Sequence, residues 1–164
     1  MTRPDTLTAE WDAWFERVRA TYEAVRYTCS HRLADPALAE PVAVAVAAGL
    51  VSRPSIFRYF GLPYSGRIAR LAEAHIAEAD AGEFGTVCRW TELRERLAGM
   101  PVEHRDALVV TCVRGDDVAA LTATLGCDEA AAEAGHEAML AFMHELARPG
   151  LPARTDDAGP PAQT

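Results

Sequence analysis

The sequence predicts an all-α protein built as two small helical modules, and three observations predict it. Apolar residues recur at steps of three and four through most of the chain, the spacing that puts them on one face of a helix. Helix-starting Asp, Ser and Pro residues and helix-ending Gly residues punctuate it at helix-length intervals. Only Val42–Val46 alternates like a strand, and no second strand-like segment is present to pair with it. The 164 residues are 49% apolar and 24% charged, a globular composition. A chain of this length buries roughly 70% of its unfolded surface, so folding requires neither disulfide nor metal.

The first module is expected over 8–80. Trp11, Trp14, Phe15, Val18, Tyr22, Val25, Cys29 and Leu33 form one stripe, with Thr8 as N-cap and Glu16, Arg17 and Glu23 on the opposite face. Asp35-Pro36 opens a second helix, which Pro41 should kink or delay. The run VAVAVAAGLV reads as its buried body, and Arg53-Pro54 ends it. Ser55 could cap a short helix to Phe60, stopped by Gly61. Ser65 would then cap a helix from Gly66 to about Asp80, striped by Ile68, Leu71, Ala72, His75 and Ile76.

Residues 81–86, opening AGEFG, have two glycines and no periodicity, and read as a linker. The second module, 87–147, reads as four helices. They run over Cys88–Ala98 before Gly99, over Val102–Arg114 between Pro101 and Gly115, from a cap on Asp116 or Asp117 to Leu125, and from a cap on Asp128 to about Ala147. Residues 148–164 are Pro-rich without an apolar period and are expected to be a disordered tail.

Charge and cysteine usage limit the function classes. All 16 basic residues are Arg, against 24 Asp and Glu, for a net charge of −8. The absence of Lys, with abundant Ala, points to a GC-rich genome. The acidity handicaps any duplex-binding role, since phosphate contacts supply most of that binding energy. The longest mostly apolar stretch, Pro41–Val51, is shorter than the ~20 residues that span a bilayer. The N-terminal MTRPDTLTAEW lacks the apolar run of a secretory signal. A cytoplasmic location without membrane contact is therefore expected, with Cys29, Cys88, Cys112 and Cys127 as reduced, packed thiols.

The stretch DVAALTATLGCDEAAAEAGHEAML carries Val118 and Leu121, then Leu125-Gly126, the capping Asp128, and Ala132 and Leu140 on a second helix. This is helix-turn-helix spacing, in which Gly ends the first helix with positive φ. Together with the upstream LRERLAGMPVEHRDALVVTCVRGDD, it resembles region 4 of bacterial RNA polymerase sigma factors of the extracytoplasmic-function type. The first half resembles region 2 of the same family, through the opening helix, the Asp35-to-Glu40 entry to the second helix, and R-I-A-R at Arg67–Arg70. The resemblance covers about residues 10–147.

That resemblance implies a polymerase-gripping second helix with the pattern A-E-D-x-x-Q-E-x-F. Here Ala39 and Glu40 are kept, but Pro41, Val44 and Ala45 replace the other polar groups. It implies a basic run after the third helix, where this chain has Glu78, Ala79 and Asp80. It implies a recognition helix offering T-V-K-S-R, where this chain has Ala131, Ala132, Glu133, Ala134 and Gly135. Between Thr91 and Ala147 eleven acidic residues face four Arg, a balance of −7. The resemblance thus implies a retained scaffold with its DNA-reading chemistry removed.

Other constellations carry less. His136 and His144 lack the i, i+4 spacing of metal ligands, and Cys29 with His31 point to different sides of a helix. No nucleophile elbow, Walker loop or G-x-G-x-x-G is present, so neither catalysis, metal nor cofactor is expected. Glu129, Glu133 and Glu137 form an acidic ladder, either a solvated face or a dock for a basic partner. The segment RPSIFRYFGLPYSGRIAR combines Arg53, Arg58, Arg67 and Arg70 with Tyr64 and other rings. It reads as a packed connector, as a protein or nucleic-acid contact, or as a small-ligand site, and Arg53, Arg58, Tyr64, Arg67 and Arg70 are the candidate partner surface. The resemblance implies a degenerate sigma-like transcription regulator working through protein contacts, with RNA polymerase or another regulator as partner. DNA would then be reached only with a partner's help. The rival expectation is a helical adaptor or assembly protein with no transcriptional role.

Overall fold

The computed structural model describes residues 5–54, 66–85 and 88–146. The described residues are helical, with no strand among them. In chain order they form α1 (Asp5–Arg32), a 3₁₀ turn (Pro36–Leu38), α2 (Ala39–Val51), α3 (Gly66–Asp80), α4 (Trp90–Ala98), α5 (Val102–Leu108), a π-helical turn (Val109–Val113), α6 (Val118–Leu125) and α7 (Glu129–Leu146). The short helix expected over 55–60, the Ser65 cap and the tail 148–164 lie outside the described residues.

The stripe of α1 is the one its spacing predicts. Trp11, Trp14, Val18, Tyr22, Val25 and Cys29 are buried, Leu33 follows them, and Phe15 packs at the edge. Thr8, however, is not the cap. The helix is already formed at Asp5, because buried Leu7 extends the stripe one turn earlier than Trp11. On the outer face Arg19 pairs with both Glu16 and Glu23, one turn before and after it.

The carboxylate of Asp35 accepts from the Ala37 amide at 3.1 Å and starts the 3₁₀ turn. Pro41 sits at the third position of α2, where its missing N–H would have had no intrahelical partner. The proline therefore neither kinks nor stops the helix. Val42, Ala43, Val44, Val46, Ala47, Ala48, Leu50 and Val51 are all buried. A helix apolar on every side belongs in an interior, and α2 packs against α1, α3, α4 and α7. The alternating Val42–Val46 run is thus the centre of the helical core.

Packing continues past segment 81–85. Residues from α1 to α7 share one hydrophobic core. Tyr22 of α1 stacks on Trp90 of α4 with centroids 4.1 Å apart and planes 5° from parallel. Glu10 of α1 grips Arg114 after the π turn through contacts of 2.6 to 3.2 Å. The Arg105 guanidinium lies 5.1 Å from the Trp11 ring centre. It also donates to the carbonyls of Met100 and Ala98, closing the turn between α4 and α5. Within the first half, Arg32 pairs with Glu73 and ties α1 to α3. Segment 81–85 is mostly exposed, and Gly82 has a φ of 77°.

The predicted helix over Val102–Arg114 is interrupted in its second half. The Arg114 amide donates to the Val109 carbonyl at 2.8 Å, five residues back. The wider turn keeps Val109, Val110 and Cys112 buried together. No described helix is long and apolar enough to cross a membrane.

Candidate functional site

The pair α6–α7 is the most fully determined of the sites the sequence nominates. Asp117 caps α6 by accepting from the Ala120 amide at 2.9 Å. Gly126 ends it with φ 69° and ψ 31°, a conformation that costs a side-chain-bearing residue about 1–2 kcal/mol. Its amide closes on the Thr122 carbonyl at 2.9 Å. Asp128 then caps α7, accepting from the Ala131 amide at 2.7 Å. Three residues thus connect two helices that pack on each other.

Leu121 and Ala132 are fully buried, and Val118 and Leu125 are half-buried against the same core. Leu140 departs from the scaffold role. It is 37% exposed, and Met139 and Met143 fill the core instead. The reason is helical register: Ala132, Met139, Met143 and Leu146 follow one stripe, and Leu140 falls one step beyond it.

The outer face of α7 carries exposed Glu129, Glu133 and Glu137, with exposed Ala131 and Ala134 beside them. Asp116 and Asp117 are exposed just before α6. No Arg lies between Arg114 and Arg148, so no guanidinium on α6 or α7 offsets the α7 carboxylates. This face repels phosphate and attracts cations.

The other nominated surface is only partly described. Arg53, after α2, and Arg70, on α3, are exposed. Arg58, Tyr64 and the side chain of Arg67 lie outside the described residues.

Glu40 is a residue the resemblance would place at a partner. Here its carboxylate sits 3.4 Å from the Trp90 amide, at the start of α4, where a negative charge favours the helix. Tyr22 lies nearby, and burial reinforced by the Glu40 charge raises its phenol above the usual tyrosine value. Val44, four residues beyond Glu40, is wholly buried. Sequence reasoning could not find the Glu40–Trp90 contact, which joins residues 50 positions apart.

Burial pushes the Cys29 thiol up to about 11 and raises Cys88 as well. Both therefore remain protonated at neutral pH, packing as small apolar groups. Among the described residues, no group of three or more His, Cys, Asp or Glu is placed to hold a metal ion.

No family model, curated protein or solved structure matches the chain.

Proposed function

We propose that this protein is a sigma-factor-like transcription regulator that acts through protein contacts, with its reading of duplex DNA weakened or lost. RNA polymerase or another regulator is the partner, and the protein works in the cytoplasm. The observation that carries the reading is the outer face of α7. The tight Gly126 turn and its two Asp caps hold a pair of helices suited to helix-turn-helix use. The surface such a pair would turn to DNA presents Glu129, Ala131, Glu133, Ala134 and Glu137. Binding to a duplex rests on neutralising phosphates, and these residues do the reverse.

The test is a titration of the intact chain with core RNA polymerase from a GC-rich bacterium, and separately with promoter duplexes at physiological salt. Saturable polymerase binding without duplex binding is expected. Sub-micromolar, salt-sensitive duplex binding would overturn the reading.

One observation favours the adaptor alternative. Val44 is buried and Glu40 is engaged at Trp90, so α2 as packed here offers no polar face to a polymerase. On that alternative, core polymerase does not bind at all.

A further inference from the structure

We draw no further inference here: the strongest candidate, the open cavity of about 280 Å³ between α1 and α5 lined by Leu7, Thr8, Trp11, Val102, Arg105 and Asp106, carries nothing, because Arg105 is already engaged by the Ala98 and Met100 carbonyls and the Trp11 ring and nothing in the structure shows what covers it.

Discussion

Tyr22 and Trp90 lie face to face, 4.1 Å between ring centres, and join the first helix to the fourth. Both rings are buried, at 6% and 8% exposure. Glu40 reaches the backbone amide of the same tryptophan. Trp90 therefore takes an aromatic contact from α1 on its ring and a carboxylate from α2 on its backbone amide, which couples the residues on either side of 81–85.

Truncating either ring leaves a cavity between the halves. Tyr22→Ala or Trp90→Ala should each cost about 3–5 kcal/mol. The double variant should fall short of the sum by about 0.5–1.5 kcal/mol, the coupling typical of a ring pair. Urea unfolding followed by far-UV and near-UV circular dichroism measures both. For the wild type the two signals should coincide in one transition. Separate transitions would show that the halves fold independently and that the stack is incidental.

The Glu10–Arg114 pair makes a second link across the halves and predicts a pH dependence. The hydrogen bond from Arg114 holds the Glu10 carboxyl below its ordinary value of 4.5. A lowered acid contributes stability that is fully present above the unfolded value and is lost as pH falls through the folded one. Both side chains are about a third exposed, 33% and 32%, so the contribution is about 1 kcal/mol or less. Glu10→Gln should therefore be slightly less stable than wild type at pH 7. The gap should close as pH falls below 4.5. A gap that stays constant as pH falls well below 4.5 would mean that packing, rather than charge, makes the link.

Local signals in the sequence placed the helices and missed what joins them. The α1 stripe, the buried α2, the Gly126 stop and the Asp128 cap all follow from residues within a turn or two of each other, whereas the choice of Asp117 over Asp116 as the α6 cap does not. Glu40–Trp90 and Glu10–Arg114 span 50 and 104 positions, and no periodicity encodes them. Leu140 fell on the wrong side because Met139 and Leu140 are adjacent apolar residues, and only packing chooses between them. The π turn escaped for a related reason. Val109, Val110, Cys112 and Val113 suit an ordinary helix as well as a widened one. Of the nominated residues, the burial of Leu121 and Ala132 and the Gly126 stop were legible, whereas the Arg-rich segment is described only at Arg53 and Arg70.

Two glycines in the same unit should respond with opposite signs. At Gly126 a Cβ would meet nothing within 4 Å, yet φ is 69°. Gly126→Ala should cost about 1–2 kcal/mol from backbone strain alone. Gly135 lies inside α7, and a Cβ there also meets open space. Gly135→Ala should stabilise by about 0.5–1 kcal/mol, as Gly in a helix interior is inferior to Ala by that amount. Thermal melts of the two single variants decide it. Equal shifts of the same sign would contradict the left-handed turn.

Arg53 and Arg70 are exposed and should matter little to folding. Arg53→Ala and Arg70→Ala should change stability by no more than about 0.5 kcal/mol. If they belong to a partner surface, the same variants should weaken binding to core polymerase by about 1 kcal/mol or more, the threshold that separates contributing interface residues from bystanders. Binding and melting are measured on the same preparations. A loss of stability with unchanged binding would assign these arginines to the connector instead.

The acidic face of α7 should act as a barrier to DNA. Glu133 and Glu137 are exposed and lie one turn apart. Glu133→Arg with Glu137→Arg would move the net charge from −8 to −4. The i, i+4 like-charge repulsion would be inverted without being removed, so stability should hardly change. Gel-shift titration of a promoter duplex should find no binding by the wild type at physiological salt. The double variant should bind measurably, more tightly as salt is lowered, with a slope of about −0.9 per phosphate engaged. The double variant keeps the Gly126 turn and the Asp117 and Asp128 caps, so a gain would come from the charge of this face on an unchanged scaffold. Wild-type binding as tight as the variant's would mean that DNA engages a different surface. No binding by either would mean that the pair of helices lacks more than charge, which favours the adaptor.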